Sequence, residues 1–239
     1  MKALKQFIPN WLYRLNHQYR HRQFKNQDNA TIFSDIYDNH LWGGDDELFH
    51  SGEGTIDENA RFYLEKLLNF IKNNEIQSIV EIGCGDFRLM KNVVDNAKCD
   101  YKGIDVVPKL IQHLTHNFAN KQTSFVCLDA SIDALPPADV CIIRQVLQHL
   151  SNDQIASILK KCQQYRYVIV TEHLPIGSNV IANKNKSSGP DVRLYFNSGV
   201  FIDQPPFNQK AEIMIEYRAD FKVFNKIQAA VHRTHLVRH

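Results

Sequence analysis

The sequence predicts an α/β fold, a mostly parallel sheet with helices on both faces, and three observations lead there. Five short apolar, β-branched runs recur along the middle of the chain. Helix-length segments separate several of them. The first run, in "SIVEIGCGDFR" (78–88), ends in two glycines one residue apart, just where a helix begins.

In chain order, "DENARFYLEKLLNFIKNN" (57–74) has the spacing of an amphipathic helix leading into the sheet. "QSIVEIG" (77–83), "YKGIDVV" (101–107), "SFVCLDA" (124–130), "DVCIIRQ" (139–145) and "YVIVTEH" (167–173) are too short for helices and read as strands. Helices are expected at "FRLMKNVVDNA", "VPKLIQHLTHNF" and "SNDQIASILKKCQQ", the last with Ser151 as its N-cap. Strands alternating with helices imply crossovers and a parallel sheet. "IANKNKSSGPD" (181–191) is a loop, and "AEIMIEY" and "KVFNKIQAAV" read as a closing antiparallel pair. The expected organisation is a basic N-terminal arm over 1–28, a lid segment and lead-in helix over 29–75, and a core over 76–239.

Composition sets bounds on function. With 239 residues, 44% hydrophobic and 23% charged, the chain suits one sizeable domain. No apolar run approaches the roughly 18 residues that cross a bilayer. The five cysteines show no C-x-x-C spacing and no secretory signal accompanies them, so a cytoplasmic setting with buried, structural thiols is expected. Residues 1–27 carry six basic residues and no acid; of 28 basic residues, 22 remain against 26 acidic ones, a balance of about −4 for the body. The arm reads as a partly helical extension packed on the domain, with peripheral contact to an anionic membrane as the second reading.

The glycine turn indicates a ligand. In an open parallel sheet, ligands bind beyond the carboxyl ends of the strands, and glycines let them approach the main chain. A dinucleotide site would have G-x-G-x-x-G, but the third position is Arg88, and Asp86 at the helix mouth would repel a diphosphate. Asp105 ends the second strand 20 residues after Gly85, placed to accept bonds from both hydroxyls of a ribose. Asp129 closes the third, placed for an exocyclic amine such as that of adenine. Ribose and adenine without phosphate describe S-adenosylmethionine.

Over 77–173 the sequence resembles the class I S-adenosylmethionine-dependent methyltransferases. "VEIGCGD" is similar to their first motif, "GIDVV" and "CLDA" to their second- and third-strand acids, and "ADVCIIRQVLQHLS" to their fourth strand and following helix. The resemblance implies a Rossmann-like, seven-stranded, mostly parallel sheet with an antiparallel last strand. It also implies S-adenosyl-L-methionine as cofactor, S-adenosyl-L-homocysteine as product, and Glu81, Gly83, Cys84, Gly85, Asp105, Val106, Asp129, Ala130, Arg144 and Gln145 as cofactor-binding. The flanks "DIYDNHLWGGDDELFHSGEGT" and "DVRLYFNSGVFIDQPPF" resemble bacterial methyltransferase-domain proteins linked to sugar or polysaccharide modification. They imply a small-molecule or glycan acceptor.

A hydroxyl acceptor must lose a proton, and a base is expected near the fourth or fifth strand end. His173 is the first candidate and Glu172 the second, while His149 reads as packing or capping. Tyr37, Trp42, Ser51, Gly52 and Thr55 belong to the segment expected to close as a lid or line the acceptor pocket, and Arg193 to pair with an anionic acceptor or lie on the surface. No metal is expected, since H-E-x-x-H and paired cysteine clusters are missing. Nucleic acid is disfavoured: basic residues cluster only in the arm, and "RQVL" stands where amino-methylating nucleic-acid enzymes carry acid-or-Asn, Pro, Pro, aromatic. Three other readings stand beside the small-molecule one. They are protein or RNA methylation docked by the arm, a silent scaffold at a membrane, and NAD-dependent hydride transfer, which Arg88 opposes.

Overall fold

The computed structural model describes residues 24, 27–44, 47–52, 58–223 and 226–239. The arm (save a few residues at its end) and Thr55 lie outside the described residues. Two helices precede the sheet, α1 (Asn29–Asp38) and α2 (Glu58–Asn73). Asp28 caps α1, its carboxylate accepting from Thr31 N at 2.7 Å. Tyr63, Leu67, Phe70 and Ile71 recur along one face of α2 and are buried, as the helical period requires.

The sheet follows: β1 (Ser78–Ile82), α3 (Arg88–Ala97), β2 (Asp100–Asp105), α4 (Pro108–Phe118), β3 (Thr123–Cys127), β4 (Val140–Arg144), α5 (Asn152–Lys161) and β5 (Tyr167–Pro175). Beyond them lie β6 (Ile181–Ala182), β7 (Ser198–Gly199), β8 (Ala211–Arg218), β9 (Phe221–Val223), β10 (Lys226–Gln228) and β11 (Ala230–Arg238). Seven strands join in the order β3-β2-β1-β4-β5-β11-β8. β1 to β5 are mutually parallel, and β11 runs antiparallel to both β5 and β8. This is the Rossmann-like, mostly parallel sheet expected, with its antiparallel last strand.

The strands are apolar runs because they are buried from both sides: Val140, Cys141, Ile142 and Ile143 of β4 have no exposed surface. α5 starts at a capping box, Ser151 Oγ accepting from Gln154 N and the Gln154 side chain accepting from Ser151 N. Cys84, Cys99, Cys141 and Cys162 are buried, whereas Cys127 is exposed at the end of β3. No helix among the described residues is long and apolar enough to cross a membrane.

The closing pair is corrected in one respect. β8 is as read, but "KVFNKIQ" folds on itself as the β9–β10 hairpin, and the partner of β8 is β11. The sequence of β11, AVHRTHLVR, hides a buried strand because its polar side chains find partners: Thr234 Oγ1 bonds Thr171 Oγ1 at 2.9 Å, and Arg233 donates to Glu216 at 2.5 Å.

Candidate functional site

The chain order reverses between β1 and β4, since β1 lies between β2 and β4. There the glycine turn opens. Gly83 and Gly85 have φ of +69° and +53°, and the amides of Gly83 and Cys84 both donate to Ile104 O, at 2.8 and 2.9 Å. A Cβ on Gly83 would stand 2.4 Å from Val146 Cγ2, so the chain after β4 passes directly against the turn. Arg88, in the missing glycine's place, donates to Glu47 at 2.6 Å and lies 3.8 Å from Asp86.

Three acids surround this turn. Asp105 accepts from Gly85 N through Oδ2 and from Val107 N through Oδ1, both at 3.2 Å. Burial pushes its pKa up to about 6, the backbone donors opposing. Glu81 on β1 is buried, receives the Tyr101 hydroxyl, and is pushed up to about 8 by burial. Asp129, two residues beyond β3, accepts from Ser131 N at 2.8 Å and from Asn29 Nδ2 at 2.9 Å. Through Asn29, α1 is tied to the third acid.

A roof of lid residues closes over the turn. Ser51 Oγ accepts from Asp86 N at 2.8 Å and bonds the Tyr37 hydroxyl at 2.8 Å, while Ser51 N donates to Asp86 Oδ2 at 3.0 Å. Trp42 donates to Pro190 O at 3.2 Å and packs on Tyr37, Phe33 and His149, with ring centroids 5.4, 6.1 and 5.0 Å away.

Beneath the roof a cavity of about 770 Å³ runs from the acids to His173, Tyr195, Phe221 and His232. That volume lies within the range of small-molecule sites. All the residues expected to bind the cofactor line it, as do Tyr37, Trp42, Ser51, Gly52, His149 and His173.

The expected catalytic residues separate. His173 Nε2 must donate to Ala219 O, 2.5 Å away, because a carbonyl only accepts; its lone pair is therefore on Nδ1. Burial lowers its pKa, so the ring is neutral at pH 7. Glu172 does not line the cavity: its two oxygens accept from Leu147 N and Gln148 N, at 2.9 and 3.2 Å, beneath the 3-10 turn Leu147–His149. Burial pushes it up to about 8. His149 faces Gly189 O through Nδ1 at 3.2 Å and is pushed down to about 3 by burial. Arg193 is neither a surface residue nor on the cavity. It is 1% exposed and donates to Leu150 O at 2.7 Å and to Lys184 O, pinning the loop that precedes it.

The sequence reading missed Asn29, Gln148, His232 and Phe221, which all line the cavity. Gln148 lies in the quoted "RQVLQHLS", one residue before a histidine that was singled out; the other three come from stretches with no motif. Among the described residues no cluster of His, Cys, Asp or Glu is placed to hold a metal ion.

Residues 79–165 match the family model described as a methyltransferase domain. The sequence matches no curated protein. The fold is similar to that of the N-methyltransferase NodS from Bradyrhizobium japonicum WM9 in complex with S-adenosyl-L-homocysteine, with a TM-score of 0.57 and 11% identity over 87% of this chain and 100% of that one. Magnesium protoporphyrin IX methyltransferase from Synechocystis PCC 6803 gives 0.52 and 14%, over 90% and 99%. Human N-acetylserotonin methyltransferase gives 0.51 and 14%; there 89% of this chain spans only 60% of the human enzyme. At such identities the likeness is one of fold.

Proposed function

We propose that this chain, an S-adenosylmethionine-dependent methyltransferase by its domain and fold, methylates a hydroxyl of a sugar, glycan precursor or similar small molecule. The observation that carries the cofactor is the glycine turn bonded to Asp105, with Asp129 in the same cavity. A buried, acceptor-only carboxylate at the end of β2 suits the two hydroxyls of a ribose. A diphosphate would need free amides at the start of α3. Two amides at that turn are engaged: Asp86 N donates to Ser51 Oγ, and Arg88 N to Asp86 Oδ1 at 3.1 Å.

S-adenosylmethionine bound there supplies a methyl activated by its sulfonium. The protein's part is to hold the acceptor, exclude water and take its proton. Tyr37, Trp42 and Ser51 roof the donor side. On the acceptor side, the rings of Tyr195 and Phe221 stand edge to face with centroids 5.4 Å apart, and Asp191 and Asp220, the latter paired with Arg218, line the same cavity. Rings and carboxylates together match the apolar faces and hydroxyl rim of a sugar. His173 is the base we infer, receiving the hydroxyl proton on Nδ1 while Ala219 O fixes the ring. His173→Ala should lower turnover far more than cofactor affinity, and unchanged turnover would remove it from this role.

The setting we infer is cytoplasmic, in keeping with five cysteines that are all free thiols. S-adenosylhomocysteine should raise the melting temperature by mass action where NAD does not. No shift with S-adenosylhomocysteine overturns the reading. Labelled methyl donor with a panel of sugar acceptors then tests the substrate class. Deleting residues 1–27 tests the arm, loss of liposome binding with turnover intact assigning it to a membrane surface.

A further inference from the structure

Asn29 opens α1 and lines the cavity together with Asp129, to which it is bonded. Tyr37, about 12 Å further along the axis of the same helix, reaches Ser51 above the glycine turn. α1 is therefore a strap with two anchors, one at the third acid and one at the turn. The first anchor does more than hold the strap down.

The hydrogen bonds that end at this anchor all run one way. Ser151 N can only donate, so the Gln154 atom it meets at 2.9 Å is Oε1, which also takes the Ser188 hydroxyl at 2.6 Å. That leaves Gln154 Nε2 to donate to Asn29 Oδ1 at 3.1 Å. Asn29 then turns Nδ2 toward Asp129 and donates to Oδ2 at 2.9 Å. The other carboxylate oxygen, Oδ1, accepts from Ser131 N and Ser131 Oγ at 2.8 and 2.6 Å. One backbone amide thus fixes two side-chain amides in sequence, and both oxygens of Asp129 are held in place as acceptors.

Asp129 itself is only half-buried and lines the cavity. A carboxylate fixed as an acceptor takes a further donor and repels a further acceptor. With the ribose at Asp105, as the proposed function has it, the base lies toward Asp129, and the inference rests on that reading. We propose that Asn29 is a positioning residue for cofactor selection: by holding Asp129 Oδ2 it sets the carboxylate for the exocyclic amine of adenine. A base with a carbonyl in the amine's place would set lone pairs against lone pairs. The choice of base then depends on a helix that precedes the sheet, and not only on the strand ends that carry the three acids.

The test uses two defined probes, S-adenosylhomocysteine and S-inosylhomocysteine, in which a ring carbonyl replaces the exocyclic amine. Titration calorimetry on the full-length protein should find S-adenosylhomocysteine bound about thirtyfold tighter, the size of a hydrogen bond to a charged group. In Asn29→Ala the preference should fall below about fivefold, with S-inosylhomocysteine affinity held within about twofold. Asn29→Asp keeps the size of the side chain and the bond from Gln154, and it puts a carboxylate in the first turn, where a helix favours one. It lacks only the donor, so it should lose the preference too, and it serves if the alanine variant fails to fold. An equal loss of both ligands would make Asn29 no more than an anchor of α1 and overturn the proposal, as would an unchanged preference. A wild type without the preference, or an Asp129→Ala variant that keeps it, would put the amine elsewhere and overturn the inference while leaving the cofactor in place. If the wild type binds neither probe, the proposed function itself fails, and this inference with it.

Discussion

Gly85→Ala is the substitution that most sharply separates the roof from the cradle beneath it. The residue has φ of +53°, a left-handed conformation that costs an alanine about 1–2 kcal/mol. The new Cβ would lie 2.4 Å from Ser51 Oγ and 3.0 Å from Ser51 Cβ, so Ser51 must retreat. Its retreat breaks the bonds to Tyr37, to Asp86 N and to Asp86 Oδ2, each worth about 1 kcal/mol. The expected loss is about 4 kcal/mol in urea denaturation. Removing the obstacle should recover most of it: in a Ser51→Gly background, Gly85→Ala should cost only the backbone share of about 1–2 kcal/mol. Equal costs in the two backgrounds would refute the reasoning, because the roof would then not rest on the turn.

Asp105, as the ribose ligand proposed above, should make cofactor binding depend on pH. Its folded pKa of about 6 lies above the ordinary value of about 3.9, so its contribution to stability is fully present below about 3.9 and is lost as pH rises through about 6. Binding runs the other way, because two ribose hydroxyls need the ionised carboxylate. S-adenosylhomocysteine affinity should fall below pH 6 by up to about tenfold per unit, and a flat calorimetric profile from pH 7.5 to 5 would refute the assignment. Glu172→Ala strands the amides of Leu147 and Gln148, and thermal melts should show a loss of about 3 kcal/mol. The pH–rate profile should keep its shape. A changed profile with an unchanged melt would make Glu172 the base after all.

The donor half of the molecule was legible because its chemistry and its fold share residues. Gly83, Gly85 and Asp105 sit at strand ends, and strand ends are what short apolar runs mark in a sequence. The acceptor half was not. His232 lies in a strand whose His, Arg and Thr side chains disguise it, and its burial comes from pairing with β5 and β8. Asn29 belongs to α1, a helix not anticipated at the start of the stretch read as a lid segment. Glu172 stands near the end of the run "YVIVTEH", where a carboxylate reads as reactive, although β5 continues to Pro175. In the fold both its oxygens are taken up by backbone amides. Arg193 was misread for the same reason: a cation in a loop is taken as solvated until its carbonyl partners are known.

β11 is inserted between β5 and β8, although β8 precedes it in the chain. The pairing of Ala230 with Pro175 joins residues far apart in sequence, and non-local contacts of this kind slow folding. Strands β1 to β5 carry the glycine turn, Asp105 and His173 and can pair without it. During synthesis these strands leave the ribosome before the wall bearing His232. The two sides of the cavity thus emerge at different times, and under the proposed function substitutions in the later wall should bear on the acceptor more than on the cofactor.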